Sequence, residues 1–359
     1  MIVTHTSLRQ LVLAILHAAG SPDNEAKMVA DHLVDANLLG HDSHGVQLVR
    51  RYVEHIHAGQ CKPGTAATCI NDAGAILQFD GARGFGIRVA TEAMTAAIAR
   101  CKTTGVVLMT LRGAHHIGRV GAYAELALNA GLVSIHFVNV VDHQPMVAPF
   151  SGRDARFGTN PICIGIPGTA QTAPFLLDMA TSAVALGKVV VARQAGKPVP
   201  ENSVIDAKGQ PTTDPAQYFG PPQGALLPFG LHKGYGLMLA CEMLAGALSG
   251  YGTIQPETPR TGGIINNLFS FVVDPARLGD PTKTGHEFDQ LIAYLKSTPT
   301  MADQPVTIAG EPEVQTRAIR VKNGIELPQA TIAELENAAV NAGLEKDSIK
   351  ILYSPTKNS

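Results

Sequence analysis

The sequence predicts an α/β protein, and three observations carry that expectation. From Ala75 onward, short apolar runs alternate with longer amphipathic stretches, with glycines at many of the junctions. The 359 residues allow two or three domains, and 45% apolar against 16% charged residues is enough to build a core. Neither G-x-G-x-x-G nor G-x-x-x-x-G-K-[ST] occurs, and the nearest approach, Gly84-Phe85-Gly86, lacks the third glycine. A nucleotide site here therefore needs a scaffold other than the standard dinucleotide fold or a P-loop.

The first part of the chain reads as helical. Thr6 and Ser7 can cap a helix running into Leu11–Gly20, and with Arg9 as the sole preceding charge this stretch is a poor signal peptide. Ser21-Pro22 supplies a capping hydroxyl and a first-turn proline to a helix with Ala26, Val29, Ala30, Leu33 and Val34 on one face, and Gly40 stops it. A further helix is expected from near Gly45, with Val49, Tyr52, Val53 and Ile56 as its apolar face and Gly59 as its end.

Strands are expected at Ile76–Phe79, Val106–Leu111, Leu132–Val141, Ile162–Ile166 and Phe175–Leu177, with helices over Ile87–Lys102 and Val120–Asn129. Ala195–Gln223, rich in Gly, Pro, Asp and Thr, reads as a long structured loop, and Lys233–Leu248 as a buried helix. Beyond Asp274 the chain turns charged and helical, most clearly at Glu287–Lys296 and Ile332–Ala342. The longest later apolar stretch, Gly236–Gly250, is cut by Glu242 and too short for a bilayer, so no membrane partner is expected.

Charge narrows the partners. With 28 basic and 30 acidic residues the net charge is -2, and no basic cluster exceeds Arg50-Arg51, so nucleic acid is not an expected partner. Five scattered cysteines, none spaced C-x-x-C, suit a reducing cytoplasm rather than a disulfide framework or a thiolate zinc site.

Three segments concentrate polar chemistry beside glycine. In His41-Asp42-Ser43-His44-Gly45 a hydroxyl adjoins an imidazole, a group able to exchange a proton with a carbonyl or alcohol oxygen near neutral pH. The same pattern fits a plain helix cap with solvated histidines, and as a metal site it lacks a third ligand nearby. Arg112-Gly113-Ala114-His115-His116-Ile117-Gly118-Arg119 follows a strand and precedes a helix, so its amides could hold an anion such as a pyrophosphate, or form only a tight turn. Leu231-His232-Lys233-Gly234-Tyr235-Gly236 places a small basic group at a helix entry, where Lys233 could meet a phosphate or ribose edge or simply face water. Gly158-Thr159-Asn160-Pro161 and Asp178-Met179-Ala180-Thr181-Ser182 lie at strand ends, where α/β proteins commonly bind ligands. A metal-dependent hydrolase using His41, His44, His115 and His116, and a non-catalytic nucleotide binder, stay open on residues alone.

At these residues the chain resembles the malate/L-lactate dehydrogenase family, NAD(P)-dependent 2-oxo acid and ketimine reductases unrelated to the Rossmann dehydrogenases. The carriers are Ser43-His44-Gly45, His116-Ile117-Gly118, Phe157-Gly158-Thr159-Asn160-Pro161, Leu177–Ser182, Pro211–Pro215, His232–Gly236 and Gly310-Glu311-Pro312. The resemblance implies an oxidoreductase interconverting 2-oxo and 2-hydroxy acids with NAD or NADP and no metal. It also implies a homodimer with a cofactor domain at 76–274, flanked by a helical part from residues 1–75 and 275–359. His44 is then the proton donor and acceptor with Ser43 beside it, and His116 stands next to substrate and cofactor. The implied cofactor contacts are His116, Ile117, Gly118, Arg119, Asp178, Met179, Ala180, His232, Lys233, Gly310 and Glu311, and Thr159 is substrate-side.

Two departures bear on substrate. Many relatives carry an arginine four residues after the histidine matched by His44, suited to grip a carboxylate with two prongs; here that position is Leu48. Arg119, Arg153 and Arg51, in that order, are the candidate replacements, or else Leu48 contacts a bulkier, more apolar substrate. The cyclic-imine reductases have an acidic residue after the glycine matched by Gly187, where this chain has Lys188, which weakens the imine-reductase alternative.

Overall fold

The computed structural model describes residues 1–301 and 304–345; the end of the expected C-terminal part, 346–359, lies outside the described residues. The chain opens with strand β1 (Ile2–Val3), then helices α1 (His5–Ala18), α2 (Asp23–Leu38) and α3 (Val49–His57). The sheet region follows as β2 (Thr68–Ala73), β3 (Ile76–Asp80), α4 (Gly86–Thr104), β4 (Val106–His115), α5 (Gly121–Asn129), β5 (Val133–Val141), β6 (Ile162–Ile166) and β7 (Phe175–Met179). Helix α6 (Leu186–Gln194) leads into a small sheet of β8 (Val204–Ile205), β9 (Pro211–Thr212) and β10 (Ala225–Leu226). After α7 (His232–Cys241) come β11 (Ile265–Val273), α8 (Pro281–Lys296), α9 (Glu311–Asn323), β12 (Ile325–Glu326) and α10 (Gln329–Asn341).

The main sheet has seven strands in the order β2-β3-β4-β11-β5-β6-β7. Within it, β3 and β4 run parallel across the α4 crossover, and the other neighbours are antiparallel. Its core lies under α4 and α5, where Val89, Ala93, Met94 and Ala97 meet Val107, Met109, Leu111 and Leu268. A second core joins both ends of the chain: Leu8, Ile15, Leu33 and Tyr52 pack with Ile325, Ile332 and Leu335. That core also contains Phe85 and Ile87, so the start of α4 ties it to the sheet.

Several expectations need correction. The central strand β11 is absent from the sequence reading because Asn266, Asn267 and Ser270 interrupt its apolar pattern, although all three are buried. Helix α1 is capped by Thr4, whose hydroxyl accepts from the Ser7 amide at 3.1 Å, rather than by Thr6 or Ser7. Pro22, not Ser21, stands at the α2 cap, and the Ser21 hydroxyl is buried without a partner. The helix expected from Gly45 begins at Val49, after two 3-10 turns at Asp42–His44 and Val46–Leu48. The Asn37 side chain causes this by accepting the Val46 amide at 2.9 Å and filling the space where a Cβ on residue 45 would stand. The expected buried helix is α7 followed by a π-helical turn, Glu242–Ala247. One side, with Met238, Cys241 and Ala245, is buried, while Leu239, Met243 and Leu248 are exposed.

Candidate active site

The site forms where the helical core meets the sheet. The 3-10 turn after α2 presents Ser43 and His44, with Ser43 Oγ 3.1 Å from His44 Nδ1. The first residue after β4 is His116, whose ring lies nearly parallel to that of His44, at 15° with centroids 6.0 Å apart. Tyr52 of α3, fully buried, places its hydroxyl 2.7 Å from His116 Nδ1. Burial, followed by the charges of His44, His115, His32 and Arg51, holds His116 well below the usual histidine range. Burial also lowers His44, opposed by the Asp178 carboxylate and assisted by His41 and Arg119.

The turn from His115 to Gly121 is held by side chains rather than left open. The Ile117 amide donates to Asn266 Oδ1 at 3.0 Å, the Arg119 amide to His32 Nε2 at 2.9 Å and the Gly121 amide to Asp178 Oδ2 at 2.7 Å. Gly118 has φ +71°, and a Cβ there would run into the His32 ring. Three amides of the turn are thus already paired, and Asp178 sits at the start of α5 as an anion would. His115 is turned away, with Nε2 2.8 Å from His55 Nδ1, and its own Nδ1 is buried without a partner. The histidine rings thus face separate partners, and among the described residues no group of three or more metal-ligating side chains converges.

The remaining expected residues fall into three places. Met179 and Ala180 follow Asp178, and Thr181 then ties this segment to the substrate-side motif, donating its amide and hydroxyl to the Thr159 carbonyl at 2.9 and 3.0 Å. The Thr181 carbonyl accepts from the Phe229 amide at 3.0 Å, which fixes the entry to α7, where His232 and Lys233 are exposed. Gly310 and Glu311 begin α9 and line a cavity of about 410 Å³ together with Leu176 and Glu125. Farther along the chain Gly187, at the start of α6, lies against Ser43, where its Cβ would stand 3.2 Å from that of Ser43.

The three candidate cations differ in their partners. Arg119 is buried and bridged to Glu125 at 2.6 Å, and Arg153 is exposed on a loop and bridged to Asp154 at 3.0 Å. Arg51 is exposed three residues after Leu48, and among the described residues it has no carboxylate within ion-pair distance. Leu48 itself packs against the helical core. Residues that the sequence reading passed over include His32, Asn266 and Glu125, whose roles come from partners far along the chain. Tyr52 belongs to the apolar face expected for α3, and its hydroxyl is the sequence clue to the second role.

Two imidazoles set side by side, one on a hydroxyl and one on a phenol, with a carboxylate acting on the first, are groups suited to acid–base chemistry, here on an α/β scaffold. The family profile described as malate/L-lactate dehydrogenase matches residues 3–336. The chain is 42% identical over 346 residues to hydroxycarboxylate dehydrogenase B of Escherichia coli K12, covering 96% of this chain and 95% of that one. A solved malate/lactate dehydrogenase structure from E. coli aligns with TM-score 0.94 at 41% identity, covering 98% of each chain. A Δ1-piperideine-2-carboxylate reductase from Pseudomonas syringae aligns with TM-score 0.82 at 27% identity, over 94% of this chain and 99% of that one. The chain belongs to the malate/L-lactate dehydrogenase family and is an oxidoreductase of the 2-hydroxycarboxylate dehydrogenase type. Dehydrogenases of this family use nicotinamide cofactors. Among the described residues, no helix is long and apolar enough to cross a membrane.

Proposed function

We propose that the enzyme interconverts 2-oxo and 2-hydroxy acids with His44 as the proton donor and acceptor, the observation carrying this being the Ser43–His44 pair set parallel to the His116 ring. Ser43 Oγ accepts from Nδ1–H of His44, which leaves Nε2 as the nitrogen that exchanges a proton with the substrate oxygen. With the Tyr52 hydroxyl donating to Nδ1, His116 carries its proton on Nε2 and serves as a neutral donor orienting the same oxygen. Burial keeps His116 uncharged, so the proton comes from His44, the imidazole that Asp178 pulls toward its charged form. When bound, the nicotinamide supplies or takes the hydride.

The cavity beside Gly310 and Glu311 supports a dinucleotide, and Ile117, Gly118, Arg119, Asp178, Met179, Ala180, His232 and Lys233 complete the proposed contacts. Thr159 bounds the substrate. Arg51 replaces the missing arginine at Leu48 as the carboxylate anchor, since Arg119 and Arg153 are each bridged to an acid. A helical part (1–75 with the described residues from 275 on) around a cofactor domain (76–274) is supported by the core that joins both chain ends, although Phe85 and Ile87 of the cofactor domain also enter that core. The exposed apolar side of α7 supports a homodimer, and five free cysteines support a cytoplasmic setting.

The test is a panel of 2-oxo acids and cyclic ketimines with NADH and NADPH, run on the wild type and His44→Ala. Oxo-acid reduction that falls at least about 100-fold in the variant is expected for loss of a general acid. Near-normal turnover with the fold intact removes His44 from the mechanism, and preferential turnover of ketimines replaces the oxo-acid reading.

A further inference from the structure

We propose that the enzyme binds NADH in preference to NADPH, because the hollow placed to take the adenosine half of the cofactor is lined by carboxylates. This rests on the nicotinamide reading of the site given above. The hollow, about 410 Å³, lies between α5 and β7 on one side and the end of α8 and start of α9 on the other. Leu128, Leu176 and Val314 give it apolar walls, and Glu125, Glu311 and Glu313 supply three carboxylates. One ammonium, Lys296, also lines it, and that group is already paired with Glu311.

Two chains of contacts join the hollow to the reacting centre. Glu125 holds Arg119 at 2.6 Å. The Arg119 guanidinium and the Asp178 carboxylate meet around Gly121, where a Cβ would touch both, and the Asp178 charge acts on His44. On the other side Glu313 lies 3.5 Å from His41 Nε2, and the charge of His41 also acts on His44. A dinucleotide with its reactive ring at His44 must carry its second half away from that point, and this hollow is the apolar recess so connected. Apolar walls suit the adenine faces, and carboxylates accept hydrogen bonds from the ribose 2′- and 3′-hydroxyls.

A 2′-phosphate reverses the match. It replaces a hydroxyl donor with acceptor oxygens and adds about 1.5 to 2 negative charges, among three carboxylates whose one neighbouring ammonium is committed. Glu125 and Glu311 hold an arginine and a lysine, whereas Glu313 faces the His41 ring at 3.5 Å, so Glu313 is the position to vary.

The chain has no tryptophan whose quenching could be followed, so the fluorescence of the reduced cofactor itself serves as the binding signal. Titration of the full-length protein with NADH and NADPH is expected to give a Kd at least tenfold lower for NADH, which is about 1.4 kcal/mol. Glu313→Lys should narrow that ratio by at least tenfold, chiefly by tightening NADPH. Glu313→Gln should narrow it in the same direction by less, and serves if the lysine variant does not fold. Equal affinities, or tighter NADPH, overturn the preference while leaving the nicotinamide reading intact. A wild-type preference that neither variant changes overturns its assignment to this hollow. Binding of neither cofactor overturns the nicotinamide reading and this inference with it.

Discussion

Replacing Arg51 with methionine probes the substrate grip directly. Methionine keeps much of the aliphatic length and nearly the same helix propensity, so α3 should persist. A carboxylate about 4 Å from a guanidinium gains roughly 4 kcal/mol at an effective dielectric near 20. Arg51 is exposed, so screening and the ordering of its long side chain reduce this, leaving about 2 kcal/mol, the size of a hydrogen bond to a charged group. The expected loss is therefore about 30-fold in kcat/KM for 2-oxo acids. Because the carboxylate is equally charged in substrate and transition state, the loss should fall in KM. Steady-state oxidation of the reduced cofactor, with its Kd measured separately, provides the assay. Leu48→Arg in the Arg51→Met background should restore at least tenfold, since the two positions are three residues apart at the start of α3 and share a side of the helix. A kcat/KM within threefold of wild type in Arg51→Met, with unchanged melting behaviour, refutes the anchor.

Other consequences can be measured on the same preparation. Since burial lowers His44 below the usual histidine pKa of about 6.5, kcat/KM for reduction should already fall with rising pH at neutrality, while oxidation is on its plateau. Asp178→Asn removes the charge that raises His44, so both limbs should move to lower pH; limbs that stay in place sink this coupling. Gly118→Ala forces an alanine to φ +71° and displaces His32 from the Arg119 amide, a cost of roughly 2–3 kcal/mol readable as a lower urea midpoint. His32, His115 and His136 are each held down to about 3 by burial. Their contribution is fully present above the unfolded pKa and is lost as pH falls from there toward 3. At pH 5 each should cost about 2 kcal/mol relative to neutral pH, and a urea midpoint unchanged between pH 7.5 and 5 contradicts it.

What the sequence revealed depended on range. Val106–Leu111 and Leu132–Val141 were legible as strands because their apolar runs are unbroken, and structure extends the first to His115. β11 was not, because its polar residues are satisfied by partners elsewhere: Ser270 Oγ lies 2.7 Å from His136 Nδ1, and Asn267 donates to Asn139 Oδ1 at 2.9 Å. The Ser43–His44 pair was visible because it is local. The pairing of His116 with Tyr52 joins positions 64 residues apart, and helical spacing alone describes Tyr52 equally well as core. The π-helical turn was hidden for a similar reason. Glu242, in its first turn, is buried against Asn139, Asn160 and the Ile254 amide, contacts that a helical pattern does not encode.

The filled turn between β4 and α5 bears on why the chain needs no glycine fingerprint. In such a fingerprint, glycines let a pyrophosphate approach open amides at a helix start. Here the amides of Ile117, Arg119 and Gly121 are taken by Asn266, His32 and Asp178, which come from β11, α2 and β7. Each of those caps also bears on the His44–His116 pair. Asn266 fixes the residue after His116, His32 fixes the turn behind it, and Asp178 sets the charge felt by His44. The helix start that a Rossmann enzyme gives to its cofactor is spent in this protein on the geometry of its histidines. We propose that side chains such as His232 and Lys233, exposed at the entry to α7, meet the cofactor's negative charge instead. On that reasoning Lys233→Met should weaken NADH binding and reduce its salt dependence while leaving the pH limbs of His44 in place. A shift in those limbs, with cofactor affinity unchanged, would reverse the division of labour between the two helix starts.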